Sequence, residues 1–556
     1  MPPLAAMRSP GLLLAAAVLA ACSRGGDRGA STGGIGGTVV IALPASPNPL
    51  LPTHLVGAPE KQVADQIFDP LAEIGPGLVT LGDSGWTPRL ATAWTWSADS
   101  LSIAFSLHPA ARWHDGRPVT SRDVQFTVGL FKDPRVGSPL AGGFAAVDSV
   151  TTPDSLTAVV WYARRSPEQF YDVVHSLLIM PEHLLRDADR ATFASHPFGQ
   201  QPVGSGPFRF VRWLPRQVLE VEADTAYHLG RPKLNRVIWT LDPDVNTALV
   251  KVLAGEADLL ESLSPDGMAR VAAQQTVRAV PYPNLNYGYL AFNMRDPANP
   301  DRPHALFADR ELRRALSMGI NRRALLANVF DSLAWLGAGP FSRAQATADT
   351  SLRAVDFDSA GAGRLLDSLG WRDADGDGVR ERGGRALRFA LTFPTTSSPR
   401  RRYAELIQAQ LRPHGVRVDV DGVDFSVLRE RIPTGKFDAI INNLTLDPSP
   451  SGIRDQWYSA TPRTRRANYQ LYGNPVVDAV IDSAMREVNP ARSRAHFRKA
   501  YQLILDDAPA VWLYENRSFM ALHGRIVPVL EGANTWWRKL RLWSIPAAGR
   551  IARDAN

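Results

Sequence analysis

Thr87-Pro88-Arg89-Leu90-Ala91, then Trp94, Trp96, Leu101, Ile103, Phe105 and Leu107, then Trp113-His114-Asp115-Gly116-Arg117-Pro118-Val119-Thr120 and Asp123-Val124 make up the stretch whose reading decides the fold. From 90 to 107 apolar and polar residues alternate around the turn residues 97–100, which is the period of a half-buried β-hairpin. Residues 114–118 break that pattern, since Gly and Pro impose backbone angles suited to turns. Thr120 can then cap a helix, its hydroxyl reaching free amides while Asp123 occupies the capping-box position. Val124, Phe126, Val128 and Leu130 supply the apolar residues of that helix. The segment reads as hairpin, turn and helix.

Outward from it the same two periods recur. Thr38–Leu43 is a β-branched and aliphatic run closed by Pro44, suited to a buried strand. The loop after it, built of Pro, Ser and Asn, supplies Ser46 as a candidate ligand-binding hydroxyl. Residues 60–71 carry Val63, Ala64, Ile67, Phe68 and Leu71 at helical spacing. Downstream, 203–241 holds short strands, and Asp244 opens a helix that Gly255 closes. Residues 287–292 read as a strand, and 309–320 and 321–330 as two capped helices. Farther on, strands at 387–393 and 416–420 flank a helix at 403–411, while 492–508 is helical and 510–514 extended. Such alternation is that of an α/β protein.

The chain has 556 residues, 45% hydrophobic and 21% charged, enough for more than one core and globular in balance. The formal charge of +7 is spread among nearly as many acids, and short runs such as Arg400-Arg401-Arg402 suit a solvated face, so no nucleic-acid partner is expected. Residues 11–21 form an uncharged apolar run, short of the roughly 20 residues of a membrane span. With Arg8 before it and Leu19-Ala20-Ala21-Cys22 closing it, the run has the order of a secretory leader. Cys22 is the only cysteine, so lipidation there would leave no thiol for a disulfide, a metal or catalysis. Residues 22–37 then read as a flexible tether.

Three patterns invite chemistry. Gly82-Asp83-Ser84-Gly85 matches the string around a serine-protease nucleophile, but only His54 lies upstream, and a glycine-rich surface loop accounts for it better. Asp373, Asp375, Asp377 and Gly378 reproduce half of a calcium loop, yet position twelve is Gly384, so an Asp/Gly hairpin turn is expected and no metal site is assigned. Tyr282, Asn284, Asn286, Tyr287 and Tyr289 gather amides and phenols at a domain junction, where they could meet a peptide backbone or, alternatively, fill a sheet face. Trp457 and Tyr458 invite the same two readings.

The opening stretch, with Pro202-Val203-Gly204-Ser205-Gly206-Pro207-Phe208, Leu253-Ala254-Gly255-Glu256-Ala257-Asp258, Phe292-Asn293 and Arg313-Arg314-Ala315-Leu316, resembles the signature of family 5 extracellular solute-binding proteins. Residues 19–22 likewise resemble a bacterial lipobox, whose cysteine is acylated. The resemblance implies a two-lobed, periplasmic-binding-protein-like fold (type II, cluster C) with a β-rich subdomain inserted in the first lobe. Expected bounds are 38–75, 195–285 and 510–556 for lobe I, 76–194 for the inserted subdomain and 286–509 for lobe II. It implies a monomeric, lipid-anchored extracytoplasmic receptor without catalysis or cofactor. That receptor would deliver a small solute, foremost a peptide, to the permease and ATPase subunits of an ABC importer; a nickel chelate, haem or sugar is the alternative guest. In peptide-binding members an aspartate of the second lobe takes the α-amino group, and Asp447 in Leu446-Asp447-Pro448-Ser449-Pro450 is the most similar position. Leu444 stands where an aromatic residue often does, and a turn-capping role is the alternative.

Overall fold

Thr38–Leu43 is buried along its whole length because both faces of the strand are covered, as its near-continuous aliphatic run requires. It is the centre of a seven-stranded sheet whose spatial order is Val277–Tyr282, Ser518–His523, Leu259–Leu260, Thr38–Leu43, Arg236–Leu241, Val218–Ala223 and Phe208–Leu214. A second sheet of six strands runs Ala334–Leu336, Ala510–Asn516, Asn286–Phe292, Ala439–Thr445, Arg388–Pro394 and Arg417–Val423. A third, of four strands, runs Ala91–Trp96, Ser102–Leu107, Thr157–Tyr162 and Val147–Asp154. These sheets, with their helices, make a two-lobed α/β protein whose first lobe carries the extra four-stranded sheet. The structure is a computed structural model that describes residues 34–461, 467–531 and 535–555; the expected leader, Cys22 and most of the tether lie outside the described residues.

The hairpin expected at 90–107 forms, Ala91–Trp96 pairing antiparallel with Ser102–Leu107. The helix Ser121–Lys132 follows, Asp123 accepting from the amide of Thr120 at 2.8 Å and from its hydroxyl at 3.2 Å. His114 has a structural task. Its Nδ1 accepts from the Gly204 amide at 3.3 Å, which leaves Nε2 to donate to the Gly206 carbonyl at 3.0 Å. Burial lowers the His114 pKa, consistent with a neutral ring in those roles. The glycines are dictated by contact: a Cβ on Gly204 would stand 1.8 Å from the Ile67 carbonyl oxygen. Two parts of the opening signature, far apart in sequence, are thus one hydrogen-bonded junction.

Arg89 of the same stretch is 4% exposed and reaches Asp69 at 2.9 Å, Glu73 at 2.8 Å and the Tyr227 hydroxyl at 3.1 Å. A second buried knot closes the C-terminus. Arg525 binds Asp258 at 2.7 Å and Asp554 at 2.6 Å, while Asp554 accepts from the Thr38 amide at 2.7 Å. One boundary differs from expectation: residues 510–516, placed by sequence in the first lobe, are hydrogen-bonded between Asn286–Phe292 and Ala334–Leu336 in the second sheet. The strands on either side of Arg517 are equally apolar, so hydropathy carries no mark of the change of sheet.

Replacing Arg89 by Met is expected to cost about 3–5 kcal/mol, because buried Asp69 loses its guanidinium partner and Glu73 keeps only Lys539, at 3.2 Å. Urea unfolding at pH 7 measures it, and a loss below 1 kcal/mol, the scale of an exposed pair, contradicts the buried-knot description.

Candidate ligand-binding cleft

The chain passes between the two large sheets twice, through residues 283–285 and through Arg517. The two passages are tied side by side. The Asn284 side-chain amide donates to the Ser518 hydroxyl, and the Asn516 amide donates to Asn286 Oδ1 at 3.3 Å. Next to them the Leu446 amide donates to the Leu285 carbonyl at 2.6 Å. A cavity of about 470 Å³ opens beside this junction, within the size of small-molecule sites. The helix Ala58–Ile67 and the segment around His175 supply one wall; Thr445, Leu446, Asp447 and Pro448 supply the other.

Asp447 carries the chemistry of the second wall. It follows the strand Ala439–Thr445, whose pairing with Asn286–Phe292 fixes where the loop emerges. Its Oδ1 accepts from the Tyr171 phenol and from the Ser449 amide at 2.9 Å. The Ser449 hydroxyl in turn donates to Glu168 Oε1. Tyr171 and Glu168 belong to the first wall's side, so the walls are hydrogen-bonded to each other. Asp447 is an exposed residue that lines the cavity, while its carboxyl is set among protein groups. Burial raises its pKa, while the Tyr171 and Ser449 hydrogen bonds and the Lys61 charge pull it back.

Two more acids stand behind it. Burial, and then the charge of Asp172, push Glu168 up to about 8 against the hydrogen bonds from Ser449 and Ser451. Burial and the Asp447 charge push Asp172 up to about 7. His175 stacks on Tyr171 with ring centres 4.6 Å apart, and burial holds it well below its ordinary value, as a neutral imidazole. Elsewhere in the cavity Arg538 is tied to Asp65 at 3.0 Å, and Glu261 accepts from Gln62 at 2.7 Å and the Tyr282 hydroxyl at 3.2 Å.

Of the residues singled out from sequence, Asp447 and Asn286 line the cavity, as do Tyr282 and Asn284. Tyr287 and Trp457 do not; they are 1% and 0% exposed, in the core with Trp512, where the Tyr287 hydroxyl donates to Gln456 Oε1 at 3.0 Å. Alternation along Asn286–Phe292 turns Tyr287 away from the cavity that Asn286 lines, into the sheet-filling role, and Trp457, at the end of the helix Gly452–Trp457, packs on Trp512. Ser46 is half-buried in its loop and is not part of the lining. Sequence reasoning missed Lys61, Tyr171, Glu168 and His175. Lys61 lies on the polar side of an amphipathic helix and the others in a short apolar helix and its flanks, and neither setting has a sequence mark of a site.

The two other patterns take structural form. Asp83 accepts from the indole nitrogens of Trp94 at 2.9 Å and Trp96 at 3.0 Å, and among the described residues no histidine bonds the exposed Ser84. Asp373, Asp375, Asp377 and, unforeseen, Glu381 bring carboxylate oxygens within 4.8 Å of one another while accepting backbone amides of their own loop.

The raised Glu168 sets a pH dependence. Glu168 in the folded protein binds its proton far more tightly than in the unfolded chain, so its own contribution to stability is fullest below the ordinary carboxylate range and is lost as pH rises toward about 8. Melting temperatures from pH 5 to 9 should therefore fall more steeply for the native protein than for Glu168→Gln. Parallel curves contradict a protonated Glu168 at this contact.

The model for "Bacterial extracellular solute-binding proteins, family 5 Middle" matches residues 85–465. The "Oligopeptide-binding protein AppA" of Bacillus subtilis is 25% identical over 432 residues, 76% of this chain and 77% of that protein. The solved structure of that protein in complex with a nonapeptide has a TM-score of 0.72 at 21% identity, over 92% of this chain and 99% of the other. The ABC transporter substrate binding protein CtaP of Listeria monocytogenes reaches a TM-score of 0.81 at 22% identity, over 92% and 99% of the two chains. The family match spans more than half of the sequence and the fold agrees over 92% of it: this chain belongs to the family 5 bacterial extracellular solute-binding proteins.

Proposed function

We propose that the protein is the extracytoplasmic binding component of an ABC importer and that it encloses a peptide between its lobes, the ligand's α-ammonium meeting Asp447. The observation that carries this reading is a carboxylate held in the cavity wall with only a phenol and one amide for company. An ammonium in that space would form charge-assisted hydrogen bonds in a desolvated setting, where they are strong. AppA, a relative over three-quarters of the chain, is by its name an oligopeptide-binding protein, which supports peptide as the guest.

On this reading the protein is a monomer that catalyses nothing. Residues 1–21 are a leader, Cys22 is acylated, and 22–37 tether the body to a membrane outside the cytoplasm. Several acyl chains on one residue give stable anchoring where a single chain does not. Residues 76–194 form the subdomain inserted in the first lobe, and the permease and ATPase subunits receive the closed form. Closure converts ligand contacts on both walls into a population shift that a transporter can sense.

The test is binding and recovery. Asp447→Asn is expected to weaken a mixture of free-terminus peptides about 10- to 100-fold by calorimetry, the loss of a charge-assisted hydrogen bond. N-acetylation of the peptides should weaken the native protein comparably. Mass spectrometry of the recovered peptides should show them intact. Equal affinity of both proteins for free and acetylated peptides contradicts the role of Asp447, and cleaved products contradict the receptor assignment.

A further inference from the structure

The point where residues 34–37 meet the first lobe is fixed by the C-terminal segment. Arg550 donates to the Ile35 carbonyl, the Gly36 amide to the Lys233 carbonyl at 2.6 Å, and the Thr38 hydroxyl to the Arg553 carbonyl at 3.4 Å, beside the Asp554 contact described above. Gly36 and Gly37, at φ +124° and +92°, supply a backbone that residues with a side chain rarely adopt. Around this exit the surface has one character. Ile35, Pro546, Ala547, Ala548 and Ile551 are exposed, Ile35 at 42% and Ile551 at 44%. Lys233 and Arg550 stand exposed among them, and among the described residues neither has a carboxylate within ion-pair distance, whereas Arg553 is paired with Asp258 at 2.7 Å. The exposed acids of the adjoining elements are Glu222, opposite Arg236 in the sheet, and Glu256, whose carbonyl accepts from Arg553. Aliphatic groups with unpaired cations suit the headgroup region of an anionic bilayer.

Length decides that this surface meets it. Eleven residues, 23–33, separate Cys22 from Gly34. A Gly- and Ser-rich chain of that length spans about 20 Å on average and about 40 Å at full stretch. A body of the size of residues 34–555 is about 60 Å across. An anchor at Cys22 therefore cannot reach round the body, and the face beside Ile35 is the one held near the lipid. The cavity lies toward the other end of the same strand: Thr38–Leu43 begins at the exit, and the chain beyond its end supplies Pro52, Leu55 and Ala58 to the lining.

We propose that the face formed by Ile35, Lys233, Arg550 and Ile551 docks on the surface of an anionic phospholipid bilayer, with the cavity directed away from it. The proposal rests on Cys22 as the anchor point and adds the surface that sits on the lipid. A contact with so few cations is weak and sensitive to salt, so the molecule can leave it to deliver its guest while the anchor holds.

The test uses the mature chain on vesicles of phosphatidylcholine, alone or mixed with phosphatidylglycerol. One arm is anchored through natural Cys22, the other through an N-terminal histidine tag on a nickel-chelating lipid, with Cys22→Ser. A fluorophore is attached at Ala548→Cys or, as the control, at Gln217→Cys in the turn at the opposite end of the sheet; Cys22 is the only natural cysteine. Nitroxide-bearing lipid is expected to quench the Ala548→Cys label on the mixed vesicles and to spare it on neutral ones and in high salt. The Gln217→Cys label is spared throughout. Lys233→Glu should lower the docked-to-free ratio about 30-fold, with an unchanged circular dichroism melt because that side chain is exposed. Equal quenching of the two labels overturns the docked face. Quenching of the Ala548→Cys label that is the same with and without phosphatidylglycerol overturns recognition by charge. If mass spectrometry finds no acyl chain on Cys22 while the tagged arm docks as described, the anchor reading falls and the lipid-facing surface stands.

Discussion

The structure depends on a covalent constraint: two large sheets share one chain that, among the described residues, passes between them twice, and the two passages run side by side. With the Asn284 amide on Ser518 and the Asn516 amide on Asn286, they act as one narrow junction. A junction of that kind resists translation of one lobe against the other but yields to rotation about itself, the geometry of hinge closure. The walls that meet on closure are the ones nearest that axis, so the cavity lies beside residues 284–286 and the loop 445–448. Rigid cores on both sides make this possible. Arg89 with its two acids and Arg525 with Asp258 and Asp554 hold the first lobe, and the tryptophans around Trp457 and Trp512 hold the second.

Where the walls touch, the chemistry is unlike that of the cores. The knots around Arg89 and Arg525 set each buried acid against a guanidinium. At the contact of the lobes Glu168, Asp172 and Asp447 lie close together with phenol and hydroxyl donors beside them, and burial raises the pKa of each, to about 8 for Glu168 and about 7 for Asp172. A contact of that composition is weaker than a core and sensitive to whatever charge enters beside it. On the proposed reading, that suits a surface that forms and separates repeatedly.

Much of the fold was legible in the sequence because it is written in short-range rules. The hairpin at 90–107, the Thr120 cap, the Asp309 and Asn321 caps and the buried run Thr38–Leu43 follow from period, turn chemistry and capping. The junction between His114 and Gly204 was visible only as two motifs; that they are one contact is a property of three dimensions. The return crossing at Arg517 was misplaced because the strands on both sides of it are equally buried. For the site, Asp447 came from resemblance and Asn286 from its junction position. Tyr287 and Trp457 were drawn in by residue type alone, and their side chains complete a core. Lys61, Tyr171, Glu168 and His175 come from separate elements that converge only once the chain has folded, so no local pattern marks them.

The central claim is that the two walls approach around a guest. Small-angle scattering of the mature protein, titrated with a mixture of free-terminus short peptides, tests it most directly. The account predicts a fall in the radius of gyration that saturates with peptide and is lost in Asp447→Asn. A radius that stays constant, in a sample where calorimetry shows the peptides bound, would contradict closure and leave a rigid receptor in its place.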